Sequence, residues 1–391
     1  MLEGYKKHLR FAPKCLYITH IIHPTHTSYK DTQMPYPTAH PNLQLLAELL
    51  AIPSPSGREE RMAAFISQYI SNLGHKAQQD PQGNVWVEIQ GQDPTKGKIA
   101  LASHMDELAM VITNICPDGT LTVRPSGGLH PWKLGECPVD IVCDGPHTLG
   151  AHLCFGSTHT TDPSDPITQF ATGARGITWP NTYLITGRSP AQLKEAGVRV
   201  GSTAVPTASM RGPHLFGPEE DPLVSAWILD NRGGTLTLLK LLEQITQTNL
   251  SPERTTCLCF MVQEETGLIG ARGWAARNPV EIFIAVDSSP MPRNQNLTLD
   301  GRPAIWSKDS TMHFDQGLIQ DLAKAAQQAG TDMQYAVYDR AASDASGVLD
   351  AGHAPRGATI GYPRENSHGY EISRLSVFDN LIATLFEYLA N

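Results

Sequence analysis

Three short apolar runs in this sequence each lead into side chains that can bind a metal ion. Runs of this length and composition predict strands buried in the core of an α/β fold. In such a fold the carboxyl ends of parallel strands lie at one edge of the sheet, where binding sites form. The pattern therefore predicts one site that gathers the residues after each run. The runs are residues 98–102 before His104, residues 257–262 before Glu264 and Glu265, and residues 281–286 before Asp287.

The adjacent carboxylates Glu264 and Glu265 stand where the central run gives way to a loop containing Gly267. Because neighbouring side chains point in different directions there, one carboxylate can bind a metal while the other faces a reacting water. The alternative is a pair of solvated acids at a strand end, and the pair alone does not decide between the two.

His104 and Asp106 form a second short motif. His104 can offer a neutral imidazole nitrogen to a metal, and Asp106 can turn back to hold the other ring nitrogen and fix the tautomer. Taken alone, the motif favours the plainer interpretation of a histidine with satisfied hydrogen bonds at a strand end.

Asp230 lies between a short apolar strand and a helix that starts with two glycines. A carboxylate at that position, close to a helix N-terminus, can bridge two cations. The alternative is an ordinary N-cap, because Asp is among the favoured capping residues. His368, in a polar loop near the C-terminus, is the second histidine that we expect at the site.

The chain of 391 residues is long enough for two domains, or for one domain that carries an insertion. Residues 41–107 and 223–391 have α/β texture, whereas residues 108–222 consist of short β-like runs, including residues 198–205, separated by Gly, Pro, Ser and Thr turns. We predict an inserted small β domain over residues 108–222. Residues 1–40 have no periodicity and are interpreted as a loose extension, within which Met34 is an alternative start.

Local patterns also predict individual elements. Ser56 followed by Glu59 is typical of a capping box before a helix. The amphipathic pattern from Leu375 to Leu389 predicts a final helix that closes the core.

The charge and cysteine content exclude several classes of function. A net charge of −9 and a pI near 5.9, without a basic stripe, argue against nucleic acid or an anionic membrane as a partner. No apolar stretch approaches the roughly 18 residues of a membrane span. The seven cysteines are odd in number and include no C-x-x-C pair, which is typical of free thiols in a reducing cytoplasm. We therefore expect a cytoplasmic protein that acts on small neutral or zwitterionic substrates.

Together the candidate residues supply two imidazoles, a bridging aspartate and three further acids. A two-metal hydrolytic site needs about three ligands per ion with one of them shared, and a general base that is not a ligand. At this point the sequence resembles the M42 family of dinuclear metallo-aminopeptidases. The resemblance runs from about residue 41 to the end and rests on seven ordered motifs. They are His104-Met105-Asp106-Glu107, Gly127-Gly128, Gly197-Val198-Arg199-Val200-Gly201, Leu229-Asp230-Asn231-Arg232, Gln263-Glu264-Glu265-Thr266-Gly267, Val286-Asp287 and Ser367-His368-Gly369-Tyr370-Glu371.

The resemblance implies a mixed-sheet, zinc-peptidase-like catalytic domain with helices on both faces and an inserted barrel-like domain. It assigns one divalent metal ion to His104, Asp230 and Asp287, and a second to Asp230, Glu265 and His368. Asp106 would hold His104, and Glu264 would be the general base that takes a proton from a metal-bridging water.

The same resemblance implies the substrate and the assembly. The ions would be zinc, with cobalt or manganese as alternatives, and the substrates would be peptides with a free N-terminus, shortened by one amino acid at a time. The inserted domain would form dimers inside a hollow dodecamer. A related metal-dependent deacylase or carboxypeptidase, or a binding or scaffold relative without turnover, remains an alternative.

Overall fold

The computed structural model describes residues 40–391 except Gln295, so the predicted extension lies outside the described residues apart from His40. The helices are α1 (Pro41–Ala51), α2 (Glu60–Asn72), α3 (Pro131–Leu134), α4 (Pro166–Ala171), α5 (Pro190–Glu195), α6 (Leu229–Thr248), α7 (Ile269–Arg277), α8 (Gln316–Gln328), α9 (Asp344–Asp350) and α10 (Ser376–Ala390). The strands are β1 (Gln78–Gln79), β2 (Val85–Ile89), β3 (Ile99–His104), β4 (Ala109–Ile115), β5 (Leu121–Ser126), β6 (Cys137–Val142), β7 (Thr148–Cys154), β8 (Tyr183–Ile185), β9 (Thr203–Pro206), β10 (His214–Phe216), β11 (Leu223–Trp227), β12 (Thr256–Met261), β13 (Ile282–Pro290), β14 (Ala304–Lys308), β15 (Gln334–Val337), β16 (Arg356–Arg364) and β17 (Tyr370–Arg374).

A mixed eight-stranded sheet forms the centre of the fold. Its strand order is β1-β2-β12-β3-β13-β16-β14-β15. The four strands β12, β3, β13 and β16 run parallel, and every residue of β12 and β3 is buried. Strands covered on both faces are expected to be continuously apolar rather than alternating, and this is the composition of the three runs in the sequence. The α/β fold class is confirmed.

Helices cover both faces of this sheet. On one side α6 contacts β3 and β13 and also packs against α1, α2 and α10. On the other side α9 contacts β13 and β16 and packs against α7. The predicted final helix is α10, whose buried residues include Phe378, Leu381 and Leu385.

Six short strands between Ala109 and Pro206 close into a barrel in the order β4-β5-β8-β7-β6-β9. All its strand pairs are antiparallel, and in β5 the buried Leu121 and Val123 alternate with the half-buried Thr122. This is the period of two expected when one face of a strand is buried. The barrel lies within the segment predicted as an insert, whose division from the rest as a domain stays a prediction. A third sheet has the strand order β10-β11-β17. It joins two strands that follow the barrel in sequence to a strand near the C-terminus.

Two local predictions are wrong. The predicted capping box at Ser56 and Glu59 does not form, because neither side chain caps α2. Instead Ser56 Oγ donates to Asp106 Oδ2 at 2.6 Å, and Glu59 Oε1 accepts from Gly57 N at 2.8 Å. The strand predicted over residues 198–205 starts only at Thr203, because the chain turns at Gly201, whose φ is +92°.

Among the helices of residues 40–391, none is long and apolar enough to cross a membrane. The six described cysteines are free.

Candidate metal centre

The predicted strand ends meet at the carboxyl edge of the central sheet. The parallel register pairs Met261 of β12 with His104 of β3, and β13 lies on the other side of β3. His104 is therefore the last residue of a central strand, Glu264 and Glu265 follow the neighbouring strand, and Asp287 lies near the end of the third. Because parallel strands finish on the same side, residues far apart in sequence share one small volume.

Asp106 connects His104 to the loop that carries the two glutamates. Its Oδ1 lies 3.4 Å from His104 Nδ1 and accepts a hydrogen bond from Glu264 N at 2.9 Å. Its Oδ2 accepts from Glu265 N at 3.2 Å and from Ser56 Oγ at 2.6 Å. Asp106 is fully buried. One carboxylate therefore orients the imidazole and fixes the backbone from which both glutamate side chains project.

Asp230 lies at the start of α6, where the backbone angles of Asp230 and Asn231 depart from those of a helix. Asp230 Oδ1 lies 3.1 Å from His104 Nε2, and its Oδ2 pairs with the buried guanidinium of Arg364. Glu371 pairs with the same guanidinium and accepts from Asp230 N at 2.7 Å. Both oxygens of Asp230 are thus held within the site, with their orientation set by Arg364 and Glu371.

His368 is positioned from the barrel segment by the Gly127-Gly128 motif. Its Nδ1 lies 3.1 Å from the carbonyl oxygen of Gly128, and its backbone N–H donates to Glu371 Oε1 at 2.9 Å. A Cβ atom on Gly128 would lie 2.7 Å from that ring nitrogen. Glycine is therefore required for the backbone to approach the imidazole so closely. The contact leaves Nε2 of His368 as the ring nitrogen available to a metal.

The described residues contain two groups of side chains suited to a cation. His104, Asp230 and Asp287 form one, Asp230, Glu265 and His368 form the other, and within each group the ligand atoms lie within 4.8 Å of one another. Glu265 Oε1 is buried without a hydrogen-bond partner among the described residues. Imidazole and carboxylate donors with an unpaired buried oxygen fit divalent ions such as Zn²⁺.

A family comparison agrees with this geometry. The model of the M42 glutamyl aminopeptidase family matches residues 83–383, which is more than half of the chain. This chain belongs to the M42 family. It is accordingly an aminopeptidase, a hydrolase of peptides, in a family that depends on metal ions.

Individual M42 relatives differ in the substrates for which they are named. The chain is 27% identical to the glutamyl aminopeptidase of Lactococcus lactis over 253 residues, and the match covers 62% of this chain and 65% of that protein. It is 24% identical to the lysyl aminopeptidase of Pyrococcus furiosus over 248 residues, again with 62% and 65% coverage. Glutamyl and lysyl side chains carry opposite charges, so membership of the family does not determine which N-terminal side chain is preferred.

Solved structures confirm the M42 fold. A TET aminopeptidase from a marine sediment Thaumarchaeota archaeon superposes with a TM-score of 0.79 at 20% identity, covering 90% of this chain and 96% of that one. The TET1 peptidase of Pyrococcus horikoshii gives 0.77 at 23% identity, with 89% and 99% coverage. The latter is described as assembling into a tetrahedron or a large octahedral shell.

The acids of this M42 site repel one another. Burial raises the pKa of the Glu264 carboxyl well above its usual range, and the charge of Asp287 adds to the rise against the lowering effect of His104. Burial, followed by the charge of Asp230, raises the pKa of Asp287 to about 7. For Asp230 burial acts in the same direction, but Arg364 lowers the pKa overall. A cation bound among these buried carboxylates favours their ionised form. Binding therefore releases the protons that the carboxylates hold in its absence.

His104 shows the complementary effect. Burial lowers the pKa of its imidazole, but the charge of Glu264 and the contacts with Asp106 and Asp230 raise it well above its usual value overall. A divalent ion at this ring would compete with a proton, so metal binding at the site is expected to weaken as the pH falls.

A cavity of about 940 Å³ opens onto the site. Asp230, Glu264, Glu265, Asp287 and His368 all line it. Its remaining walls include apolar side chains, Leu268, Met291, Trp306 and Tyr338 among them, and Lys133 from the barrel segment. The cavity is large enough to hold the first residues of a peptide against the acids.

The sequence interpretation missed two buried groups. Arg364 ends β16 and is buried, and an arginine at the end of a buried strand is a signal that a buried acid faces it. Asp344 lies at the start of α9, where its side chain is 2% exposed and its Oδ1 has no hydrogen-bond partner among the described residues. Burial raises the pKa of Asp344 to about 8.

Proposed function

We propose that this protein removes single N-terminal amino acids from peptides with two divalent metal ions and with Glu264 as the general base. The observation that carries the proposal is the pair of ligand groups that share Asp230, with Glu264 beside them but in neither group. Glu264 Oε2 lies 3.9 Å from His104 Nε2, so its carboxylate reaches the same space without being required as a ligand.

The ions would be held by His104, Asp230 and Asp287, and by Asp230, Glu265 and His368. When bound, they would polarise the scissile carbonyl, acidify the attacking water and anchor the free amino group of the substrate. Glu264 takes the proton from the attacking water and returns it to the leaving amine. Asp106 holds Glu264 and His104 in fixed relative positions during this proton transfer, because it contacts both residues.

The metal, the assembly and the location complete the proposal. Zinc suits the donor set, with cobalt or manganese as alternatives. Residues 108–222 form a separate dimerisation domain, and the chain assembles into a homo-oligomer, a dodecamer built from dimers. The TET names and the shell described for the TET1 peptidase support this assembly. The location that we propose is the cytoplasm.

A peptide digest tests this function. Metal-free enzyme is reloaded with Zn²⁺ or Co²⁺ and given a peptide pool in which half the N-termini are free and half are acetylated, and products are identified by mass spectrometry. We expect loss of single residues from the free N-termini only. Loss of acetyl groups or of C-terminal residues would favour the deacylase or carboxypeptidase alternative, and no cleavage with either metal would favour a binding protein.

A further inference from the structure

A buried cluster of three charged side chains lies beside the proposed metal site without belonging to it. Glu107 Oε1 accepts hydrogen bonds from Arg211 Nη1 at 3.0 Å and from Arg232 Nη2 at 3.2 Å. It also accepts from Ser54 N at 2.7 Å. All three charged residues are at most 1% exposed. We name Glu107, Arg211 and Arg232 the charged triad.

Stability alone is a poor explanation for the charged triad. It buries two guanidinium groups against one carboxylate, and three of its polar atoms have no partner among the described residues, namely Glu107 Oε2, Arg211 Nη2 and Arg232 Nε. Buried ion pairs commonly fail to recover their desolvation free energy even when every polar atom is satisfied. Such a cluster is better explained by the positions that its directional hydrogen bonds impose.

The hydrogen bonds of the charged triad reach the metal-ligand segments directly. Arg232 follows Asp230 by two residues, and its Nη1 donates to the carbonyl of Met105 at 2.6 Å, between His104 and Asp106. It therefore holds the chain that ends β3 against the chain that starts α6. The first segment supplies His104 to one proposed metal group, and the second supplies Asp230 to both.

Arg211 brings the barrel into the same network. It follows β9, the last strand of the barrel, and its Nε donates to the carbonyl of Pro206 at 2.8 Å. Its Nη1 reaches Glu107 and also the carbonyl of Leu50 at 3.2 Å, near the end of α1. One side chain thus joins the end of the barrel, the first helix and the segment after His104.

We propose that Arg211 is a positioning residue for the metal centre, acting through Glu107 and Arg232 to hold the segments that carry His104 and Asp230. The barrel is then part of the mechanism that sets ligand geometry, in addition to any role in assembly. The inference rests on the proposed function, since it concerns ions that this site is proposed to hold.

The test compares Arg211→Met with Arg211→Lys and with Arg199→Met. Arg211→Met keeps a long side chain and leaves Glu107 and Arg232 as a pair of balanced charge, so it is the substitution in the charged triad most compatible with folding. Arg199 is an exposed arginine of the barrel segment that pairs with Asp144, and its substitution is the matched control. The dissociation constant for Zn²⁺ is measured by chelator competition, kcat and KM on aminoacyl substrates, and folding by thermal unfolding.

We expect Arg211→Met to raise the Zn²⁺ dissociation constant and to lower kcat, each by about tenfold, the lower end for partners that orient metal ligands. KM should change less, because no member of the charged triad lines the cavity. Arg211→Lys should lie between Arg211→Met and the parent, because lysine keeps the charge but cannot reach three carbonyl and carboxylate groups together. Arg199→Met should match the parent.

A folded Arg211→Met protein with the Zn²⁺ affinity and kcat of the parent would overturn the inference, even if its unfolding temperature falls. If Arg211→Met does not fold, Arg211→Lys decides, with a threefold or larger loss of Zn²⁺ affinity supporting the inference and an unchanged affinity overturning it. A parent protein that neither binds Zn²⁺ nor cleaves peptides would instead overturn the proposed function, and it would do so before any variant is compared.

Discussion

The interior of the barrel and the carboxyl edge of the central sheet are buried to the same degree but bury different chemistry. The barrel encloses aliphatic side chains such as Ile112, Ile141 and Leu184, each with no exposed surface. The sheet edge encloses ionisable groups, with Asp106 and Asp344 at most 2% exposed. Burial of an aliphatic chain stabilises a protein, whereas burial of a carboxylate opposes folding unless a partner compensates. Substitutions in the two regions should therefore have opposite consequences.

The sharpest contrast is expected from Glu264→Gln at the sheet edge. We expect kcat to fall by a factor of about 10² to 10⁴, the usual range for loss of a general base, while both metal ions are retained. The free energy of unfolding should not fall, because a neutral amide replaces a carboxyl whose pKa burial raises. Metal content, kcat and denaturant unfolding are compared with those of Glu195→Gln, an exposed glutamate on α5. Unchanged turnover in Glu264→Gln would remove Glu264 from the mechanism.

Leu184→Ala tests the other half of the contrast. Leu184 lies in β8, between Leu121 of β5 and Leu153 of β7. Truncation of a buried leucine should lower the free energy of unfolding by about 2–5 kcal/mol. The folded protein should keep its metal affinity and kcat, since Leu184 does not line the cavity. The control is Ile185→Ala at the neighbouring position, where the side chain is 47% exposed. Equal losses of stability in both variants would contradict the contrast.

Asp106→Asn tests whether one carboxylate holds both halves of the site. An amide offers one acceptor oxygen where Asp106 uses two, so it cannot bind both Glu264 N and Glu265 N as well as Ser56. We expect Zn²⁺ affinity to fall by about 10- to 100-fold, in the range known for partners of metal-binding histidines. Chelator competition gives the affinity, and Asp350→Asn, at an exposed helix end, is the control. An unchanged affinity would show that the histidine is oriented by other contacts.

The smallest effect is expected from Glu59→Gln, which concerns stability and its dependence on pH. Burial, followed by the charge of Asp106, raises the pKa of Glu59 from 4.5 to about 7. Because the folded-state pKa lies above the unfolded one, the contribution of Glu59 to stability is complete below pH 4.5 and is lost as the pH rises through 7. Glutamine does not titrate and avoids that loss.

Glu59→Gln should therefore gain stability relative to the parent between pH 5 and pH 8. The gain is expected to be roughly 2 kcal/mol, less than the full shift in pKa from 4.5 to about 7 corresponds to, because part of the titration lies below pH 5. Urea unfolding of both proteins at the two pH values measures the difference, and a difference that is the same at both would contradict the prediction.

The sequence predicts those residues of the candidate site that follow directly after buried strands. An apolar run followed by a metal-binding side chain specifies both a buried strand and the edge at which the side chain appears, and the structure brings His104, Glu264, Glu265 and Asp287 to one edge of the sheet. The roles assigned to these residues and to Asp106 stay predictions.

What could not be predicted depends on contacts between distant segments. Ser56 has the spacing of a helix cap, but its hydroxyl binds Asp106, and local spacing contains no information about that competing partner. Arg211 lies in an irregular stretch after the barrel. No periodic pattern there predicts that its guanidinium is buried against Glu107. Arg364 and Asp344 are similar, since a buried charge is recognised only when its counter-charge is known to be near.

The strand order has a consequence for how this protein is made. β3 lies between β12 and β13, and the whole barrel is encoded between β3 and these two partners. On a ribosome, β3 therefore emerges before both of its partner strands and stays unpaired with them while the barrel is synthesised. The antiparallel barrel, in contrast, pairs strands that all lie within one stretch of sequence. A nascent chain in this condition exposes a strand edge that can aggregate. His368 emerges last of the proposed ligands, so the second metal group, which includes it, is complete only when synthesis is nearly finished.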